Sequence, residues 1–403
     1  MPENMSGPLA GWKIIDLSRV LGGPYCTQLL GDLGAEIIKI EPPQGDETRD
    51  WGPPFKDGQS AYFSGVNRNK ESVGLDLSKP EGRSVLLRLL EDADVLVENF
   101  KPGSLKKWNL GFDEVLKPKF PKLIHCSITG FGDDGPLGRF PGYDAVLQAM
   151  CGLISVNGSP ESGPMRIGIP IVDIATGLFA ANAILAAAVE RGNSGLGQYV
   201  EASLFDTGVA LQHPHAANWF MSGEPPVLVG NAHTNIVPYD SFPTSTGPIF
   251  ISIGNNGQFA RLCKEIGVPE MADDPKFTNN SDRMEHRDEL RVKLEEAFAE
   301  TDGAALCNTL LASGIPAGPI LDMEGILNLD HTRHREMVVE GAGGYRGTGI
   351  PIKFDRTPGA VRNPPPRFGE NGREVLAKSG FSESEIEKLV DLGVLVEERR
   401  KTR

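Results

Sequence analysis

Lys13-Ile-Ile-Asp-Leu-Ser-Arg-Val-Leu-Gly-Gly-Pro-Tyr-Cys-Thr-Gln-Leu-Leu-Gly-Asp-Leu-Gly-Ala-Glu-Ile-Ile-Lys-Ile40 decides the fold of this 403-residue chain. Lys13 to Leu17 is an apolar run that predicts a strand. Gly22-Gly23-Pro24 opens a helix through Leu30, and Ala35 to Ile40 predicts a second strand, completing a βαβ unit. The alternation continues with Ser72 to Leu77 as strand, Pro80 to Glu91 as helix, Asp94 to Glu98 and Leu123 to Ile128 as strands, and Gln198 to Leu204 as a further strand. An α/β fold with a mostly parallel sheet and helices on both faces follows, with the ligand crevice at the carboxyl ends of the strands. Gly22-Gly23-Pro24 lacks the G-x-G-x-x-G spacing, so a dinucleotide site is disfavoured despite Glu41 at the second strand end.

Outward from that unit, the length predicts two domains. Pro225-Pro226 marks a boundary. Beyond it a β segment (Pro248 to Ile253) and helices (Gln258 to Ile266, Asp288 to Ala299, Gly303 to Ser313) read as a smaller α+β domain. The expected division is 1–222, 223–335 and a C-terminal segment 336–403. Thr207 to Phe220 reads as one helix, and Ser382 to Leu392 as another in the tail. With 39% apolar and 23% charged residues the chain can bury a sizeable core. Its formal charge of −14 argues against nucleic acid or an anionic membrane as partner. Five cysteines without C-x-x-C spacing read as buried thiols in a reducing compartment. No apolar run is read as reaching membrane-spanning length, and Met1 to Ala10 reads as neither a secretory signal nor an Arg-rich transit peptide. The expected compartment is the mitochondrial matrix or the cytoplasm.

The segment Arg166-Ile-Gly-Ile-Pro-Ile-Val-Asp-Ile-Ala-Thr-Gly-Leu-Phe-Ala-Ala-Asn-Ala-Ile-Leu-Ala-Ala-Ala-Val-Glu190 carries the candidate chemistry. Pro170 delays a helix, and the Ala-rich run after Ile174 favours a buried one. Asp173 stands where the two meet. It has two readings that local sequence leaves open: an N-cap accepting the first free N–H groups, or a carboxylate aimed into a cleft to attack an acyl carbon.

Other constellations are thinner. His213-Pro-His215 and His331-Thr-Arg-His334 lack a third ligand at metal spacing, so no metal is expected. G-x-S-x-G and G-x-x-x-x-G-K-[ST] are absent, which removes serine hydrolase and P-loop readings. Asp133-Asp134 and Asp273-Asp274 read as turn formers. Lys39, Arg68, Lys101, Lys106 and Lys107 would make a basic patch suited to a phosphate-bearing ligand, or a solvated face of scattered cations. The loops Thr48-Arg49-Asp50-Trp51-Gly52-Pro53-Pro54-Phe55 and Asn67-Arg68-Asn69-Lys70 are long enough to bind something.

Taken in order, Ile15-Asp-Leu-Ser-Arg-Val-Leu-Gly-Gly-Pro24, Leu33-Gly-Ala-Glu-Ile-Ile-Lys-Ile-Glu41, Val97-Glu-Asn-Phe100 with Pro102-Gly103, Gly142-Tyr-Asp-Ala145 and Val172-Asp-Ile-Ala-Thr-Gly177 make the chain resemble the class III CoA-transferase family over nearly its whole length. Trp51-Gly-Pro-Pro-Phe55, Val66-Asn-Arg-Asn-Lys70, Cys126-Ser-Ile-Thr-Gly130 and Ala232-His233 with Ile236-Val-Pro-Tyr239 are similar to the dicarboxylate members typified by succinyl-CoA:glutarate CoA-transferase. The resemblance implies a Rossmann-like large domain that includes the C-terminal segment, a small domain, and a homodimer whose subunits thread through each other like linked rings. It implies acyl-CoA and dicarboxylic acids as substrates, coenzyme A as co-substrate, and no permanently bound cofactor.

Residue by residue, Asp173 matches the family's aspartyl nucleophile. Val20, Leu21, Lys39, Leu75, Asn99, Phe100, Lys101, Lys107 and Thr129 match the CoA site. Trp51, Tyr62, Phe131 and Tyr143 match positions beside the acyl group. Pro42 replaces a basic CoA contact of some relatives, which turns attention to Arg68 or Lys39 for that phosphate. Arg49 and His233 are the expected holders of a distal carboxylate, with Arg68 and Arg166 behind them. Gly230-Asn-Ala-His-Thr-Asn-Ile-Val-Pro-Tyr239 stands where oxalate-using members carry a glycine-rich flap, which speaks against oxalate or formyl-CoA. An α-methylacyl-CoA racemase-type isomerase is the alternative. Tyr143 stands where racemases place a His, which leaves one of two proton-transfer bases missing.

Overall fold

The computed structural model describes residues 7–400, so the leader reading of Met1–Ala10 falls largely outside them. Two compact units emerge. One takes in the chain up to Leu153, then Ile167–His213, then Asp330 onward; the other comprises Ile154–Arg166 and Pro214–Leu329. The expected cuts at 222/223 and 335/336 compare with crossings at 213/214 and 329/330, and the stretch Ile154–Arg166 groups with the second unit.

In the first unit the chain runs β1 (Lys13–Asp16), α1 (Gly22–Asp32), β2 (Glu36–Glu41), β3 (Lys70–Gly74), α2 (Pro80–Leu89), β4 (Val95–Glu98), β5 (Ile124–Thr129), α3 (Asp144–Met150), α4 (Ile171–Ser194) and β6 (Tyr199–Ser203). The six strands form one all-parallel sheet in the order β6-β5-β4-β1-β2-β3. Successive residues of β1 serve opposite faces. Ile14 packs with Cys26, Leu30, Val97 and Val172, whereas Ile15 packs with Ile38, Leu86 and Leu96. A strand covered on both sides carries apolar residues on consecutive positions, and Ile14-Ile15 with Leu17 made Lys13–Leu17 legible.

The strand order reverses at β1, whose neighbours are β2 and β4. The loops leaving β1 and β4 therefore diverge and open a crevice at their carboxyl ends. The C-terminal segment returns to this unit: Val375, Leu376, Ile386 and Leu389 from its two helices join the core on the Ile15 side.

Three sequence expectations are corrected. β3 starts at Lys70 rather than Ser72, because the Lys70 ammonium is neutralised inside the unit by Asp16 at 3.1 Å. The expected helix Thr207–Phe220 is two, Leu204–Ala210 and His215–Ser222. Pro214 between them has no N–H to continue a ladder and biases His213 away from helix. Third, α4 is a 24-residue apolar helix long enough, by length and composition, to cross a membrane. Its Val172, Ala180, Ile184 and Ala187 nevertheless pack into the unit's core.

The second unit holds an antiparallel sheet of β7 (Tyr239–Phe242), β8 (Ile249–Ser252) and β9 (Ala317–Pro319). Helices Asn256–Glu265, Arg287–Phe298 and Gly303–Ala312 pack over it, around Phe259, Leu294, Phe298 and Leu310. All five cysteines of the chain are buried and unpaired.

α1 and α4 touch through glycine. A Cβ on Gly177 would sit 2.7 Å from the Gly22 carbonyl oxygen and 3.3 Å from the Cys26 nitrogen, both backbone atoms that cannot move aside cheaply. Gly177→Ala should therefore push the helices apart, costing about 1–3 kcal/mol. The expected outcome is a lower Tm in thermal melts; an unchanged Tm would refute the close-approach argument.

Candidate active site

α4 begins without a side-chain cap from its own flank: Pro170 is its N-cap residue, and Asp173 lies inside the first turn. The capping reading of Asp173 is thereby excluded, and another residue does that work. Asp144, at the start of α3, accepts the Val172 N–H at 2.8 Å and the Asp173 N–H at 3.2 Å on one carboxylate oxygen. Its other oxygen accepts from Gln148 Nε2 at 2.6 Å, and Gln148 Oε1 accepts the Ile167 N–H at 2.8 Å. The clamp fixes the entry to α4 from both sides and uses the donors that Asp173 would otherwise attract.

What remains for Asp173 is a half-buried carboxylate to which no hydrogen bond is donated among the described residues. Burial, reinforced by the nearby Asp144 charge, raises its pKa from 3.8 to about 7. A carboxylate that burial strips of part of its hydration and that accepts no hydrogen bond is a stronger base and a stronger nucleophile.

Asp173 borders a cavity of about 180 Å³ at the carboxyl ends of β1, β4 and β5. Val20, Leu21, Asn99, Phe100, Lys101, Thr129 and Tyr143, all candidate site residues in the sequence, line it. Gly22, at the head of α1, lines it too, and a Cβ there would come within 3.6 Å of Asp173 Oδ1. The loop after β1 is pinned in an uncommon conformation. Val20 has φ +71°, a left-handed backbone that costs a β-branched residue about 1–3 kcal/mol. Asn99 holds the residue before it at both ends, accepting the Arg19 N–H at 2.9 Å and donating to the Arg19 carbonyl at 2.7 Å. Asp16 holds the next residue back, accepting the Ser18 N–H at 2.9 Å.

Beneath the loop lies a sealed chain of charge: Lys70–Asp16 and Lys39–Asp46, each 3.1 Å and with no exposed side-chain surface. Burial pushes the Asp16 carboxyl up, but Lys70 and Lys39 outweigh it and hold its pKa at about 2. Burial alone would lower the Lys39 pKa, but Asp46, Asp16 and Glu41 raise it.

Several expected site residues are withdrawn by these contacts. Lys39 is fully buried against Asp46 and the Ser18 carbonyl, so it supports the loop and does not meet a phosphate. Arg68 makes a two-pronged pair with Asp32. Arg49 makes another with Glu41 and stacks 3.7 Å over Phe63, which leaves it unable to hold a distal carboxylate. Leu75 is a core residue bridged to Leu395. Lys107 is exposed at the end of Ser104–Lys107 and does not border the cavity.

Trp51 and Tyr62 meet edge to face at 5.0 Å, each more than a third exposed. Burial and then the Asp173 charge push the Tyr62 hydroxyl up to about 12, so it stays a donor in the neighbourhood of Asp173. Phe131 packs 6.0 Å from Phe205. His233 belongs to the second unit, where its ring stands 5.0 Å from Tyr239 and its Nδ1 accepts the Asn235 N–H. Arg166 also belongs to the second unit. Sequence reading missed Asp144 and Gln148 as the clamp; the i,i+4 spacing of two polar residues on a short helix was the available signal.

The sequence pattern that defines CoA-transferase family III matches residues 9–372. A succinate–glutarate CoA-transferase of Agrobacterium fabrum is 39% identical over 386 residues, covering 93% of this chain and 96% of that protein. An acetyl-CoA:oxalate CoA-transferase of Acetobacter aceti is also 39% identical, over 88% of this chain and 90% of that one. The crystal structure of a CaiB/BaiF family protein from Brucella suis superposes with a TM-score of 0.83 at 39% identity, covering 93% of this chain and all of that one. The chain belongs to CoA-transferase family III, and it is an enzyme that uses CoA thioesters as substrates.

The raised carboxyl has a consequence for stability. Unfolded Asp173 loses its proton near 3.8, whereas folded Asp173 keeps it until about 7. The folded state thus binds more protons across that window, and stability falls as pH rises through it. Asp173→Asn removes the penalty, so its Tm advantage over the parent should grow from pH 4 to pH 7 and level off above. A pH-independent difference in thermal melts would contradict the raised carboxyl.

Proposed function

We propose that the enzyme moves CoA from a donor such as succinyl-CoA to a dicarboxylate such as glutarate through two covalent intermediates on Asp173. The carrying observation is the half-buried Asp173 carboxylate, free of hydrogen-bond donors, at the edge of the cavity. Asp173 attacks the thioester carbonyl, the C–S bond breaks, and an acyl-aspartyl anhydride forms with CoA thiolate as leaving group. The thiolate then attacks the aspartyl carbon, releasing succinate and leaving an aspartyl-CoA thioester. The acceptor carboxylate repeats both steps in reverse order. No net proton is taken up or released.

Rate enhancement comes from placement and charge. Well-oriented attack within a bound complex supplies on the order of 7–11 kcal/mol. The first N–H groups of α1, at Gly22 and Gly23, have no partner inside their helix. Gly22 borders the cavity, and donors of this kind contribute about 3 kcal/mol each at a developing oxyanion. A thiol of ordinary pKa about 8.5 makes both a good leaving group and a good returning nucleophile. Lys101, Asn99 and Phe100 are proposed to hold the CoA arm, and Trp51, Tyr62 and Tyr143 to wall the acyl group from water, which would hydrolyse either intermediate.

A homodimer, interlocked as the sequence resemblance implies, is part of the same proposal. Leu178, Phe179 and Val189 on α4 are each about half exposed or more, with Val146 and Met150 on α3 exposed alongside them. So many exposed apolar side chains on two core helices fit a surface that a second copy covers. Sedimentation should give a dimer, and a monomer at micromolar concentration would refute this part.

The transfer itself is tested by intact-mass analysis of enzyme quenched during turnover. A CoA-sized, hydroxylamine-labile adduct on the peptide containing Asp173 is expected, and Asp173→Ala should lower transfer by several orders of magnitude while retaining CoA binding. Substantial transfer by that variant would overturn the mechanism. With succinyl-CoA as donor, glutarate should outcompete oxalate as acceptor; the reverse order would overturn the substrate assignment and leave the chemistry standing.

A further inference from the structure

CoA carries three phosphates, yet the two cations singled out from the sequence in place of the missing phosphate contact at Pro42 are neutralised inside the protein: Lys39 by Asp46 and Arg68 by Asp32. A different basic cluster stands on the far flank of the same sheet face, at the carboxyl end of β3. The last described stretch of the chain folds over that edge. Leu395 pairs with Leu75, the Val396 N–H donates to the Gly74 carbonyl at 2.8 Å, and the Arg400 N–H donates to the Pro43 carbonyl at 2.8 Å. Arg400 is thus anchored beside the end of β2.

Two cations share an acceptor there, and Lys79 Nζ also donates to the Leu392 carbonyl at 2.6 Å. Arg400 Nη2 and Lys79 Nζ each donate to the Gly393 carbonyl at 3.1 Å. Among the described residues no carboxylate pairs with Arg400, and the nearest to Lys79 is Asp76 at 4.0 Å. Arg399 lies next to them; its Nη2 is held by Asp50, while its Nη1 is buried without a partner. Two peptide carbonyls and one carboxylate 4.0 Å from Lys79 leave the pair with an excess of positive charge, a field that favours an anion. In a protein of net charge −14 such a cluster is not a general property of the surface.

The spacing suits one end of the substrate. From β4 to β3 are three strand intervals, about 15 Å at the usual separation. The extended pantetheine arm and diphosphate span that distance from a thioester at Asp173. We infer that Arg400 and Lys79 bind the 3′-phosphate of CoA, the phosphate farthest from the reacting sulfur along that path. This assignment rests on the transfer reading above and adds to it the contact that anchors the nucleotide end. Arg400 offers the fork that matches a phosphate, and Lys79 adds a point charge.

The test compares succinyl-CoA with succinyl-(3′-dephospho)-CoA in the parent enzyme and in a Lys79→Ala, Arg400→Ala variant. Both positions are at the surface, and a thermal melt checks that the variant is folded. The variant should raise KM for succinyl-CoA about 10- to 100-fold. Its KM for the dephospho substrate should match the parent's, and Arg400→Lys should fall between. Unchanged KM for succinyl-CoA overturns the inference, and so does an equal loss on both substrates. Calorimetry with free CoA and dephospho-CoA makes the same comparison without turnover. Failure of the parent to transfer CoA therefore counts against the mechanism above and leaves this inference to be judged by binding.

Discussion

One carboxylate oxygen of Asp144, accepting the N–H groups of Val172 and Asp173, sets the conditions for the rest of the site. A helix start has unsatisfied donors, and whichever anion takes them is stabilised. Asp144 takes them and is itself held by Gln148. Asp173, one turn into the helix and bordered by α1 at Gly22, is left with burial and a like charge nearby and no compensation. The fold thus divides two neighbouring acids into a satisfied one that positions the helix and an unsatisfied one that the proposed mechanism uses, a separation of environments that can give two carboxylates different work.

The interior chemistry explains why charge in this sequence misleads. Lys39, Arg49, Arg68 and Lys70 all lie on or between the strands that feed the crevice, and all four are buried. Each is matched by an acid from another segment: Asp46, Glu41, Asp32 and Asp16. Lys39–Asp46 and Arg49–Glu41 tie the loop after β2 to the sheet, Lys70–Asp16 joins β3 to β1, and Arg68–Asp32 joins the end of α1 to the stretch before β3; removing one partner would strand the other in a low-dielectric interior at a cost of about 3–5 kcal/mol. Their role is to hold Val20 and its neighbours in a strained loop at the cavity. Cations without a buried acid beside them lie instead beyond the strand ends, Lys101 after β4 and the Lys79–Arg400 pair after β3.

The parallel sheet was legible because strands buried on both faces carry apolar residues on consecutive positions, Ile14-Ile15 in β1, Ile37-Ile38 in β2 and Val95-Leu96-Val97 in β4, and because Gly22-Gly23-Pro24 marks the start of α1. Asp173 was legible as a residue at a helix entry, and the motif order suggested the chemistry proposed for it. What was not legible has a common physical cause. Whether a lysine or arginine faces a ligand or a buried acid depends on contacts between residues far apart in sequence, such as Arg68 with Asp32 or Lys70 with Asp16. The same holds for the last turn of the chain: nothing local to Arg400 says that it lies beside Pro43. Asp144 was visible as part of a motif, yet its function as the cap of a helix 27 residues onward exists only in three dimensions.

The account stands on the protonation state of Asp173, which infrared difference titration reads directly. Spectra of the parent minus those of Asp173→Asn isolate one carboxyl group. A carboxylic-acid carbonyl band that persists through pH 5 and converts to carboxylate with a midpoint near 7 is the predicted result. Conversion complete by pH 5, at the midpoint of an ordinary aspartate, would contradict it.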